Sequence, residues 1–255
     1  GSGFGERFIG EHLKNNAYDI VIIFNDSMIT SALTANIINE MHKYKNKFKL
    51  ISYMDQVYMY QKPDYIKLLN EYYDGIIAFT DHWRDIAYKI GIKKDKPIYV
   101  FNHGFDDKLY FPVPKEYCRK YFDIDNDTFI IGSSNRNQPR KGWDIAIISW
   151  AKFVKIHYDI NVKNKEVKYK KNKYTKRNIK FMIGTSNEGY WNLLQLLEHE
   201  CKLIDLDYNY AKETLWFIEN PQQASDRDIN IFMSCIDVNF APVHAEGWGL
   251  TCSES

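Results

Sequence analysis

The chain is poor in the residues that build stapled, fibrous or membrane-spanning proteins. Its four cysteines, Cys118, Cys201, Cys235 and Cys252, are scattered over 255 residues without a Cys-x-x-Cys pair. That spacing offers neither a zinc site nor a disulfide framework, and it leads to the expectation of reduced thiols in a cytosol-like compartment. No apolar run approaches the roughly 20 residues that span a bilayer. The opening Gly1-Ser2-Gly3-Phe4-Gly5 runs straight into charged residues, so no leader peptide is expected. Charge of one sign is missing too. With 34 Lys and Arg against 33 Asp and Glu, the net charge is +1, and no global field points to nucleic acid or a membrane.

What is present is globular. Hydrophobic residues make up 45% of the chain and charged residues 26%, enough to bury a sizeable core in one large domain or two ordinary ones. Short apolar runs alternate with helical patterns. Ile20 to Phe24 is apolar on both faces, as in a parallel strand covered on both sides. Ser27 to Tyr44 carries Ile29, Leu33, Ile37 and Met41 on one stripe, capped by Asp26 or Ser27. Further strands are expected at about 48–53, 75–80 and 97–102, with helices from Pro63 and from His82 to Ile90. Between Gly104 and Asp127 the rhythm breaks in a turn-rich connection with Pro112 and Pro114. It restarts with strands at about 129–133, 179–184, 214–218 and 238–241, and with helices at about 142–157, 188–203 and 226–235. This alternation predicts an α/β fold of two parallel-sheet halves: residues 1–111, a linker over 112–126, and residues 127–255.

Lys163 to Arg177 holds eight basic residues and one acid, Glu166, with no apolar period. It reads as a solvated insertion. Phosphate-rich or membrane-surface contact is the minority reading, and no nucleic-acid partner is expected.

Two stretches carry chemistry. Ser133 to Asp144 links a strand to a helix and places Arg136, Arg140 and Lys141 within six residues. Ligands of parallel sheets bind outside the strand carboxyl ends, and a helix N-terminus adds free N–H groups there. Cations at a helix N-terminus are unfavourable on their own, so a bound anion accounts for them better than an empty loop does. The second stretch, Ala241 to Glu254, follows a strand and sets two glycines around Trp248. Glu246 and Glu254 are spaced to hold separate hydroxyl groups of one ligand.

Together these stretches resemble the large retaining glycosyltransferase family usually numbered four, which has the GT-B fold. Asn102-His103-Gly104-Phe105-Asp106, followed by Tyr110-Phe111-Pro112, is similar to the family's linker. Arg136 to Gly142 resembles its Arg-Lys-Gly phosphate loop, Asp237 to Pro242 its last strand, and Glu246 to Glu254 its two-glutamate signature. The resemblance is close from Ile98 onward and loose before it. It implies two Rossmann-like halves facing a central cleft, both incomplete. It also implies transfer of a hexose from a UDP- or GDP-sugar with retention of configuration, with no metal and no cofactor.

Residue by residue, the resemblance implies that Lys141, with Arg136 or Arg140, holds the donor diphosphate. Glu246 binds the donor sugar, and the backbone at Gly247, Trp248, Gly249 and Leu250 touches sugar or phosphate. Glu254 accepts from ribose hydroxyls. Asp55 is the catalytic-side residue of the first half, ahead of His82 and His103. His103 and His244 are possible sugar contacts, each balanced by a plain structural role. The acceptor is open: glycan, lipid or protein. A cytoplasmic location with at most peripheral membrane contact is expected. The Asp205 and Asp207 pair has metal-ligand spacing but falls in a peripheral region. The competing reading is a non-catalytic module that binds a nucleotide sugar or glycan.

Overall fold

A computed structural model describes residues 4–5, 8–44, 48–104, 106–163, 178–218, 221 and 223–250. It divides into two compact units, Gly1–Gly104 with Ala245–Trp248, and Phe105–His244 with Gly249–Ser255.

The first unit is built on strands β1 (Ile20–Asn25), β2 (Lys49–Met54), β3 (Gly75–Ala78) and β4 (Ile98–Val100). They form a parallel sheet in the order β1-β2-β3-β4. Helices α1 (Ile9–Asn15), α2 (Ser27–Tyr44), α3 (Pro63–Tyr72) and α4 (Asp81–Lys89) accompany it. Three members of the stripe expected on α2 pack: Ile29, Leu33 and Ile37 meet Ile23, Leu50 and Met54 of the sheet and Leu69 of α3, while the fourth, Met41, has its side chain outside the described residues. Caps fall where residue chemistry puts them. Asp26 Oδ1 accepts from Ile29 N at 3.0 Å, and Thr80 Oγ1 from Trp83 N at 3.2 Å, each satisfying a donor that the first helical turn leaves orphaned.

One expectation fails here. Among the described residues β1 is not covered on both sides: it is an edge strand, as is β4, and Ile20, Ile22 and Phe24 are 58%, 55% and 53% exposed. Its inner face is covered by α2, while α4 packs beside β3 and β4. An apolar run specifies a strand with two greasy faces, but not its place in the sheet.

The second unit repeats the plan with β5 (Phe129–Ser133), β6 (Ile179–Ile183), β7 (Leu215–Phe217) and β8 (Val238–Asn239), parallel in the order β7-β6-β5-β8. Its helices are α5 (Lys115–Tyr121), α6 (Trp143–Asn161), α7 (Leu193–Leu203), α8 (Tyr208–Glu213) and α9 (Asp226–Cys235). The α6 stripe Trp143, Ala146, Ile147, Trp150, Ala151 and Val154 is buried as its spacing required, against Phe181, Leu193 and Leu197. Cys118 and Cys235 share a second core with Ile130 and Phe232. Burial pushes the Cys235 thiol up to about 12 and that of Cys201 up to about 11.

Three local readings change. The stretch taken as an irregular connection contains α5, which packs on α9. The helix expected from Glu188 starts only at Leu193, because Asn187 ties back the turn (its Oδ1 accepts from Leu194 N at 2.9 Å) and Asn192 caps the helix. Helices α1 and α8 lack a sequence period long enough to announce them. Of the basic segment, 164–177 lies outside the described residues. Among the described residues no helix is long and apolar enough to cross a membrane.

Candidate functional site

The carboxyl edge of the second sheet carries a cleft of about 800 Å³. After β5 the chain forms a loop, a single 3₁₀ turn over Pro139–Lys141 and then Gly142, which opens α6. Gly142 has φ +68°, and a Cβ built on it would stand 2.0 Å from the Pro242 carbonyl oxygen. Only glycine fits both the left-handed conformation and that approach. His244 N donates to Arg140 O at 2.8 Å, so the Arg-Lys-Gly turn and the Pro242–His244 segment, 100 residues apart in sequence, are clasped together. Trp143 Nε1 donates to Arg136 O at 3.1 Å and fixes the start of the loop.

Asn137 locks the loop to the opposite wall. Its Nδ2 donates to Trp191 O at 2.8 Å, its Oδ1 accepts from Trp191 N at 3.1 Å, and its carbonyl accepts from Tyr190 N at 3.2 Å. Arg136, Arg140 and Lys141 line the resulting cleft with Asn135, Thr185 and Glu188. Arg136 is exposed; Arg140 and Lys141 are half-buried. Asn135 is 9% exposed, and its Nδ2 has no hydrogen-bond partner. A buried donor left unpaired costs about 1–3 kcal/mol, so its place on the cleft wall calls for a ligand oxygen. Three cations, an unpaired amide and the N-terminus of α6, which has no side-chain cap, are gathered here, and each is a group that favours an anion.

In the first unit, Asp55 follows β2. The Ala245–Trp248 segment, which belongs to this unit, lies against it. A Cβ on Gly247 would meet Asp55 Oδ1 at 2.6 Å and the Phe79 ring at 2.9 Å, and Trp83 Nε1 donates to Gly247 O at 2.9 Å. Glu246, half-buried, therefore sits one residue from a backbone in contact with Asp55. His103 packs in a ring of aromatics, with centroids 4.3 Å from Phe79, 5.6 Å from Tyr53, 5.9 Å from Phe24 and 6.1 Å from Trp248.

His244 is exposed, and its backbone N–H holds Arg140. Gly249 has φ +85°, and Leu250 is exposed. Glu254 lies outside the described residues. His82 stacks edge-on against Trp83 instead of entering the ring. Asp207 caps α8 by accepting from Tyr210 N at 3.0 Å, while Asp205 turns the corner before it at φ 51°. Asn135, Asn137 and Trp83 were not expected at the site. Asn137 and Trp83 act through long-range bonds to Trp191 and Gly247 that no local pattern signals. Asn135 stands next to the cation loop, and an amide there is the one available clue.

No protein-family model matches the chain, and no curated protein sequence does. Solved structures match its fold. Anabaena Alr3699/HepE in complex with UDP and glucose superposes with a TM-score of 0.65 at 15% identity, over 99% of this chain and 61% of that one. The OtsA apo structure gives 0.62 at 14% identity, over 98% of this chain and 58% of that one. A glycosyltransferase from Rickettsia africae ESF-5 gives 0.61 at 15% identity, over 94% and 55%. The fold is GT-B. Within the GT-B fold the chain spans between 55% and 61% of the length of these solved chains.

Proposed function

We propose that this chain is the donor-binding portion of a glycosyltransferase that transfers a hexose from a UDP- or GDP-sugar to an acceptor. The observation that carries the reading is the clasped Arg140-Lys141-Gly142 turn, with the unpaired Asn135 amide beside it. It is an anion site on the carboxyl edge of a parallel sheet, sized for a nucleoside diphosphate.

In this reading Lys141 and the flanking arginines, with the N-terminus of α6, stabilise the charge that gathers on the departing diphosphate. Preorganised charge of this kind lowers a barrier without moving during the reaction. The cations take the place of a divalent ion, so transfer proceeds without metal. Glu246 and Asp55, which Gly247 brings near each other within the first unit, are the residues this reading assigns to a hexose. The sugar passes through an oxocarbenium-like state and keeps its anomeric configuration. Two similar structures lend support by what they are: one is a complex of HepE with UDP-glucose, and one concerns glycosyl transfer with retention by trehalose-6-phosphate synthase.

Thermal unfolding with UDP, GDP, ADP and their sugars tests the reading. A ligand at a hundred times its dissociation constant adds about 2.7 kcal/mol of stability. A shift with one base, abolished by Lys141→Ala, is the expected result. No shift with any nucleotide, from a protein that melts cooperatively, removes it. A shift without transfer or hydrolysis of the donor in a product assay leaves a binding module instead of an enzyme.

A further inference from the structure

A second cavity of the same unit as the anion cleft, about 630 Å³, opens between the end of α5, strand β7 and the first turn of α9. It shares no lining residue with that cleft. Its walls are aromatic. Tyr121 and Phe122 come from the end of α5, and Trp216 and Phe217 from β7. The rings meet at steep angles: Phe122 stands 5.0 Å from Tyr121 at 87° and 4.9 Å from Trp216 at 65°. They form a corner, not a stack. None of the four is fully buried, and Tyr121 is 49% exposed.

The charges at this corner have one sign. Asp123 and Asp228 line it, and none of its described lining residues is Lys, Arg or His. Asp228 Oδ1 accepts from the Tyr121 hydroxyl at 2.8 Å, and its Oδ2 accepts from Ser225 N at 3.0 Å and Ser225 Oγ at 2.7 Å. The Ser225 hydroxyl first, then Tyr121 and the Ser225 N–H, hold this carboxyl below its ordinary pKa. It is therefore ionised at neutral pH. Arg227 adds to that effect, but it gives an N–H to the Tyr117 hydroxyl at 3.2 Å and does not line the cavity. Asp123 follows α5 in the left-handed region, at φ 53°. Among the described residues its exposed carboxylate has no hydrogen bond or ion pair.

Rings and carboxylates select the same kind of ligand. The face of an aromatic ring is the negative end of its quadrupole, so it attracts a cation and repels an anion. We propose that this cavity binds an organic ammonium ion, with its alkyl-clad charge against Trp216 and Tyr121 and with Asp123 and Asp228 as counter-charges. Other occupants fit less well. An uncharged apolar molecule displaces water from two carboxylates and gives them nothing in return. A calcium ion takes six to eight oxygen ligands, and no group of three or more His, Cys, Asp or Glu among the described residues could hold a metal ion. The volume is that of an ordinary small-molecule site. This site is separate from the anion cleft, and the inference does not depend on the function proposed above.

Saturation-transfer NMR with choline, without nucleotide, tests it. The uncharged isostere is 3,3-dimethylbutan-1-ol, in which carbon replaces the ammonium nitrogen. Choline should bind about tenfold or more tighter than this alcohol, on the scale of a cation against several partly desolvated rings. Trp216→Leu should weaken choline about three- to tenfold. Asp123→Asn removes the charge and suits the left-handed backbone; it should weaken choline about two- to fivefold. Leu203→Ser, an exposed change elsewhere in the second unit, should bind as the parent does, and melting curves verify that each variant is folded.

Any of four results overturns the proposal. Choline fails to bind. The alcohol binds as tightly as choline, which makes the cavity a plain apolar groove. Butylguanidinium binds tighter than choline, which makes the carboxylates, not the rings, the recognition element. Or choline binds equally well to Trp216→Leu, Asp123→Asn and Leu203→Ser, which puts it elsewhere on the protein.

Discussion

Gly142 stands closer to Pro242 than any residue carrying a Cβ could: a Cβ on Gly142 would lie 2.0 Å from the Pro242 carbonyl oxygen. Gly142→Ala therefore meets two penalties. The left-handed conformation costs a residue with a Cβ about 1–2 kcal/mol, and relieving the clash must move one backbone segment off the other. Melting should fall by several degrees, since each kcal/mol is worth roughly 2–4 °C at this size. Nucleotide affinity should fall further than stability does, because the displaced turn carries Arg140 and Lys141. A variant that melts and binds like the parent would show that the clasp does not shape the cleft.

Asn135 gives an opposite signature. Its buried Nδ2 makes no bond within the protein, so its removal costs the free protein nothing in hydrogen bonds. Asn135→Val should leave the unliganded melting temperature unchanged or raise it slightly, because replacing an unpaired buried polar group with an apolar one is neutral or stabilising. The same change should weaken UDP or GDP binding about tenfold by calorimetry. Loss of stability with unchanged binding would place the amide in the scaffold and not in the site.

Lys141 should be felt mainly through charge. Lys141→Ala removes a cation from the cleft wall, and hydrogen bonds to charged groups are worth about 1.5–3 kcal/mol. A loss of roughly tenfold to a hundredfold in nucleotide affinity is expected, with a flatter dependence on salt. Arginine at this position should restore only part of it, since a planar fork does not reproduce a compact ammonium. Equal affinities across the three proteins would remove Lys141 from the anion site.

Much of this was legible before the structure, for identifiable reasons. The α6 stripe and the cap at Asp26 are local patterns, read within a dozen residues, and both stand. The cation loop was legible because Arg136, Arg140 and Lys141 gather where a parallel sheet binds ligands. What no local pattern carries is partnership at a distance. Trp83 looks like an ordinary core residue of α4, yet its indole N–H reaches Gly247, 164 positions away. Asn137 looks like loop filler, yet both ends of its amide are spent on Trp191. The same holds for β1, whose sequence describes a buried strand and whose place in the sheet is the outer edge.

Trp83 offers a test of positioning. Trp83→Phe keeps an aromatic body in its cluster with Phe79 and Ile86 but strands the buried Gly247 carbonyl. Stranding such a group costs about 1–3 kcal/mol. The loss should appear as a lower turnover of donor with nucleotide affinity near the parent's, because the change loosens the segment that carries Glu246 and leaves the cation loop in the other unit untouched. Parallel losses in turnover and nucleotide affinity would mean general unfolding, which a melting curve would reveal.

Asp237 sets how the second unit responds to acid. It accepts from Lys115 Nζ at 2.7 Å, from Arg119 Nη2 at 3.0 and 3.2 Å and from Ile130 N at 2.9 Å, so it joins α5 to the start of β5. Burial alone would raise its pKa. The hydrogen bonds from Lys115 and the Ile130 N–H, with the charges of Lys115 and Arg119, outweigh that and hold it below the ordinary carboxylate value. A carboxylate depressed on folding stabilises the fold fully above its unfolded pKa, about 3.9, and that stability drains away as pH falls through the folded value. Asp74 and Asp228 are lowered in the same direction and add to the trend. The parent's melting temperature should therefore be flat near neutrality and drop below about pH 4. Asp237→Asn should melt lower at pH 7, by the order of 3–5 kcal/mol for a buried cation robbed of its partner, because Arg119 is only 6% exposed. Its acid slope should be shallower than the parent's but not zero, given the two remaining carboxylates. Melting curves of both proteins from pH 2.5 to 7 decide it: parallel slopes would mean that Asp237 is not depressed in the folded chain, and equal melting at pH 7 would mean that the Arg119 pair does not hold α5 in place.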